Sequence, residues 1–179
     1  MSRTTMNAIL AGIEINYMQQ LDQLWPIALA LPVILYGPLN AFLLSYQAVP
    51  AIIIKRLIKQ PYYIGFLGIA LVISACGLLI RNIFVVAASE FLLLAMATTL
   101  MILLSGHIQD ELSSTQRSGV ESAVSTIATI AFIGTALIFS TIAKSYSVFM
   151  AAWVLVVVAI LAAIGAQITL SKSRHETKG

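Results

Sequence analysis

Long apolar blocks alternate with short polar breaks along this chain. A hydrocarbon core about 30 Å thick takes about 20 apolar residues at the helical rise. Five blocks reach that length: Trp25–Ile54, Tyr62–Ile80, Ile83–Ser105, Gly119–Ala143 and Val148–Leu170. They do not alternate with a period of two, and they overrun strand length, so a barrel of strands is excluded. The first block is interrupted by Pro26, Pro32, Pro38 and Pro50. A kink is expected at Gly37-Pro38, where a backbone donor is missing and the preceding residue is permissive.

A sixth block is mixed. Thr4–Leu24 repeats Ile9, Leu10, Ile13 and Tyr17 at helical spacing, and it also carries Glu14, Asn16, Gln19, Gln20 and Asp22. Two readings fit: a spanning helix with a polar face, or an amphipathic helix in the interface plane. The chain thus divides into an N-terminal polar or amphipathic helix over 1–24, a five-helix core over 25–170 and a basic tail over 171–179.

The breaks carry the charge. Crossing at every block places 55–61, 106–118 and the tail "SKSRHETKG" on one side, with Arg81 and Lys144 on the other. The first side then holds Lys55, Arg56, Lys59, Arg117, Lys172, Arg174 and Lys178, seven cations against two. Cations concentrate on the cytoplasmic side of membrane proteins. If Thr4–Leu24 also crosses, Arg3 joins them and the split becomes eight to two. That parity favours six crossings with both termini cytoplasmic, in a cell membrane.

Composition agrees. The 179 residues are 60% hydrophobic and 9% charged, against roughly 25% charged in soluble domains. Lipid is the expected solvent for most of the surface. The net charge of +3 is spread singly or in short clusters, a placement that suits a membrane surface and gives no sign of nucleic-acid binding. Cys76 is the single cysteine, so no intramolecular disulfide can form. No phosphate loop, G-x-S-x-G or metal-ligand spacing is present, and neither an enzyme nor a cofactor is expected.

Candidate chemistry concentrates on a few polar residues within apolar surroundings. Glu90 lies in "VVAASEFLLLAM", seven residues past Ile83, about 10 Å into the block. A carboxylate there cannot face lipid, and intramembrane acids mark substrate or proton paths more often than packing sites. Glu14, Asn16, Tyr36 and Asn40 are the other candidates for a path. Arg117 and Glu121, four apart, form with Asp110 an expected cytoplasmic ion cluster. Ser118, Ser122, Ser125 and Thr129 share one helical face. Close packing through small residues accounts for that stripe, and a hydrated wall or subunit seam is the sharper alternative.

The layout is similar to the C-terminal half of a major facilitator superfamily transporter. The nearest local likeness is 112–164, where a Ser/Arg loop leads into a small-residue helix, a short basic turn and a very apolar last helix. The loop "PAIIIKRLIKQPYY" keeps the cations that the family carries there but lacks its Gly and Asp-Arg pair. The resemblance implies a six-helix transmembrane bundle in which the first and fourth helices, bearing Glu14 and Glu90, line a cavity. It implies that the second and fifth meet another half and that the third and sixth face lipid. It also implies a small-molecule or ion substrate, and a partner that is either a second copy or a separate N-terminal half.

Overall fold

The computed structural model describes residues 3–57, 62–110 and 114–176, and among them only helices and turns are found. Helix α1 (Arg3–Leu21) is followed by the short α2 (Leu24–Ala28), α3 (Tyr36–Leu44) and α4 (Val49–Leu57), with 3₁₀ turns at Val33–Leu35 and Ser45–Ala48. Then come α5 (Tyr63–Gly77), α6 (Ile83–Asp110), α7 (Ser114–Ser145), the one-turn α8 (Val148–Ala151) and α9 (Trp153–Glu176). Four stretches are long and apolar enough to cross a membrane: Val33–Arg56, Ile83–Gln109, Gly119–Ser145 and Val148–Thr169. The chain is therefore an all-α protein of membrane character. α5 is apolar but shorter, at 15 residues.

Pro26 stands in the first turn of α2, where a missing N–H leaves no bond unmade. Pro38 and Pro50 lie where 3₁₀ turns pass directly into α3 and α4, so the helical run 33–56 changes its winding at each. Pro32 makes the real break. It holds an extended backbone with ψ 134°, and Ala30 before it takes a left-handed φ of 53°. The first long apolar block thus begins its run at Val33, and 24–31 form a separate turn. That turn is anchored by Trp25, fully buried, whose Nε1 donates to the Leu78 carbonyl at 3.2 Å.

Hydropathy also ended two helices too early. The expected loop 106–118 is mostly helix, because α6 continues to Asp110 and α7 begins at Ser114. Ile108 remains buried, so the packing period persists past the change in polarity. Likewise α9 continues to Glu176, through most of the expected tail. Polar residues there mark where a helix leaves its apolar surroundings, not where it stops.

α1 is an interior helix, enclosed by α6, α7 and α9. Small residues let its neighbours approach. A Cβ on Gly12 would stand 2.9 Å from the Ala128 Cβ of α7. A Cβ on Gly165 of α9 would stand 1.8 Å from Asn7 Oδ1. α5 packs against α6 and α9 through Gly77 and Gly68, whose added Cβ atoms would meet Ser89 at 2.0 Å and Ala163 at 3.1 Å. α5 buries Leu67, Leu71, Ser74 and Ala75 along that face, so the two plainest helices each present one exposed apolar face and one to the core.

The packing has an exchange symmetry. Grouped as α1, 24–57, α5 and as α6, α7, α9, the two triplets swap with their main contacts kept, though α7 meets α9 more than 24–57 meets α5. The first helices meet each other (α1 on α6), and so do the third (α5 on α9). α1 touches α7 and α9, while α6 touches α4 and α5. The middle members are the least covered: of an 18-residue apolar stretch in each, 17% is buried in Val33–Arg56 and 11% in Gly119–Ser145, against 56% in Ile83–Gln109.

Candidate functional site

The two central helices each bury an acid. Glu14 of α1 and Glu90 of α6 are both fully buried, and none of their four carboxylate oxygens has a hydrogen-bond partner. α1 presents Glu14 on the face that carries Asn7, one heptad earlier. Asn7 reaches α9, where its Nδ2 donates to Thr169 Oγ1 at 2.7 Å. α6 presents Glu90 beside Ser89, which abuts Gly77 of α5. The Trp25–Leu78 bond ties α2 to the end of α5. The helices that carry the two acids, α1 and α6, pack against each other.

A small cleft lies beside Asp22. It is lined by Asp22, Gln23, Pro26, Tyr36, Asn40 and Leu43 among others, with a volume of about 20 Å³, room for one water-sized occupant. Tyr36 and Asn40, taken from the sequence as path residues, therefore share one wall. Phe42 stacks on Phe91 with centroids 4.9 Å apart, which brings α3 against α6 beside Glu90. Asp22 is close enough to act on Glu90 electrostatically. Its own carboxyl is pushed up by burial, against hydrogen bonds from the backbone. One such bond is donated by the Gln23 N–H at 2.8 Å.

Asn16 does not join Glu14. It is two residues away, on another face of α1, and its Nδ2 donates to the Gly12 carbonyl of its own helix at 2.8 Å. Glu121 is exposed and accepts from Gln109 Nε2. The side chains of Arg117 and Asp110 lie outside the described residues, so of the expected ion cluster only Glu121 is placed. The polar stripe of α7 also stays outside the core. Thr126 and Thr129 donate to the carbonyls of Ser122 and Ser125, the usual way a hydroxyl is satisfied on an apolar helix.

Asp22 and Asn7 are the polar residues that sequence reading missed as site and core members. A signal existed for Asn7 in the small residue Gly165, but the pairing spans most of the chain. An aromatic cluster backs α1: Tyr17 meets Phe132 edge-on at 5.1 Å and Phe139 at 5.5 Å, and Phe139 meets Trp25 at 6.0 Å. Among the described residues no group of three His, Cys, Asp or Glu could hold a metal ion.

The fold and site define an all-helical protein of membrane character with two buried acids, Glu14 and Glu90, that have no hydrogen-bond partner. Compared with known proteins, the chain matches no family model, no curated protein and no solved structure.

Proposed function

We propose that the chain is a half-size or split secondary transporter of a small solute, with Glu90 in the path. The burial of two acids without hydrogen-bond partners carries this reading. Two carboxylates without partners destabilise a bundle used only for packing, and intramembrane acids are kept where protons or cations move. The exchange symmetry supports it. Three helices per triplet, each crossing once, give repeats of inverted topology, the architecture from which many transporters build a midplane site. On this reading α1 is the sixth crossing, both termini are cytoplasmic and the resemblance to a major facilitator half holds. A second copy or a separate N-terminal half closes the cavity against 33–56 and α7.

The test is uptake of a panel of small organic solutes into vesicles carrying the protein with its partner, under an imposed pH gradient. Under proton coupling, Glu90→Gln keeps exchange without a gradient and loses accumulation. Under cation binding it loses both. Accumulation at the wild-type level by Glu90→Gln would refute a path through this residue. A second reading, a non-transporting accessory subunit, is favoured by the same uncovered 33–56 and α7 faces. It predicts a stable complex with a larger membrane protein and no flux with any solute of the panel.

A further inference from the structure

The cleft beside Asp22 follows one face of α3. Tyr36, Leu39, Asn40 and Leu43 line it at i, i+3, i+4 and i+7, a run of about 10 Å at the helical rise. Exposure falls along that run. Asn40 is exposed and Leu43 is 4% exposed, so Leu43 marks the inner end. Phe42, beside Leu43 in sequence, stacks on Phe91 of α6, and Phe91 directly follows Glu90. The cleft therefore leads from the surface of α3 toward the part of α6 that carries Glu90. Asp22 is the acid among the residues lining it. It is half-buried, next to the exposed Gln23, and close enough to Glu90 to act on it electrostatically. The neighbouring titratable groups are Tyr36 on α3, Glu90 on α6 and, further along α1, Glu14. The cations before α6 and at the end of α7, Arg81 and Lys144, are exposed, with Arg81 over the Phe149 ring.

We propose that this cleft is the entrance by which protons reach Glu90, with Asp22 as the carrier in its wall. The proposal rests on the reading of Glu90 as a path residue and names the way in. Glu90 is fully buried and without a hydrogen-bond partner, so solution reaches it only through an opening of this kind. The volume of about 20 Å³ has room for one water, and one water is what a transfer between two nearby carboxyls needs. The step changes no bonds except those to the proton. Asp22, as the carboxylic acid, gives its O–H proton to the water. The water passes a proton to a Glu90 carboxylate oxygen, and Asp22 takes another from solution on the Gln23 side. Burial raises the Asp22 carboxyl above its ordinary value, so it still holds a proton to give where a surface aspartate has lost it.

Protons released by a flash from a caged acid, added to the purified chain in mild detergent, test this with time-resolved infrared spectroscopy. The carboxyl band that disappears in Glu90→Gln reports protonation of Glu90, and its rise time is the readout. Asp22→Asn removes the carrier, and Leu39→Trp fills the cleft from a half-buried position. Each should slow the rise about tenfold or more. Asp22→Glu, which keeps a carboxyl at the wall, should restore the rate, and a purely structural role for Asp22 gives no reason for such a recovery. Ile138→Trp, at an exposed position on α7, should rise like wild type. A wild-type rise time in Asp22→Asn or in Leu39→Trp would overturn the entrance and leave Glu90 in its path. A Glu90 band that does not respond to the flash in the wild type would overturn the entrance together with proton coupling through Glu90.

Discussion

Gly165→Ala tests whether α1 is a packed interior helix. The added methyl would stand 1.8 Å from Asn7 Oδ1 and 2.6 Å from Asn7 Cγ, so the Asn7 side chain must leave its place. Asn7 is 5% exposed and holds the bond to Thr169 at 2.7 Å. Displacing it breaks that bond and strands a carboxamide between α1 and α9, at about 1 to 3 kcal/mol. Overpacking of the helix contact adds about 1 to 3 kcal/mol. Asn7→Ala removes the bond but also the obstacle, and should cost about 1 kcal/mol. The two sites share one contact, so their effects should not add: Asn7→Ala/Gly165→Ala should be less destabilised than the sum by at least about 1 kcal/mol. Unfolding of the purified variants in detergent, followed by helical circular dichroism, measures this cycle. A wild-type melting temperature for Gly165→Ala, or strict additivity, would refute the close approach of α1 and α9.

Trp25→Phe should lower stability by about 1 kcal/mol through loss of the bond to Leu78, read in the same melts. Burial raises the Asp22 carboxyl, so the folded state holds its proton to higher pH than the unfolded state does, and stability should fall as pH rises through the ordinary carboxylate range and above it. Asp22→Asn should flatten that slope, and an unchanged slope would show that Asp22 is solvated. Cysteine labelling at Ser2, Ser145 and Ser173, in a Cys76→Ala background, should mark only position 145 from outside the cell; labelling of position 2 from outside would remove the sixth crossing. Cysteines at Asn40 and Ser122 should crosslink to a second copy or to a partner half, and lipid-phase probes reaching both without any crosslink would contradict the seam.

Much of this fold is written in local hydropathy, and the exceptions have physical causes. Block lengths gave the long helices, because lipid-facing surface must be apolar over the full crossing. Hydropathy could not give the ends of α6 and α9, since backbone bonding continues into water as readily as it runs in lipid. The full break falls at Pro32, while the helical run continues through Pro38 with a change of winding, and nothing local in the sequence distinguishes the two prolines. Glu90 was legible as an acid without an apolar excuse. Glu14 was legible only as part of a polar block, and its burial depends on the packing of α1 against α6, α7 and α9, helices distant in sequence. Asp22 was visible as an acid, but its cleft is built by the turn at 24–31, which a reading of one long helix from Trp25 had erased.

The two buried acids raise a common question. Among the described residues, Lys55, Arg56, Arg81 and Lys144 are all exposed, and Arg81 is engaged over the Phe149 ring at 5.4 Å. None of these four cations hydrogen-bonds Glu14 or Glu90, so on the proposed path a proton or cation from solution supplies the counter-charge. If one proton or cation serves both, the acids act as a unit. Glu14→Gln and Glu90→Gln should then each depress gradient-driven accumulation, and the double variant should lose no more than the worse single variant. If they serve separate steps, the losses should multiply. Independent losses would leave Glu90 in a path and assign Glu14 to another. Wild-type accumulation by Glu14→Gln would reduce it to a packing residue, whose replacement should then raise the melting temperature, because an unpartnered carboxyl has been removed from the core.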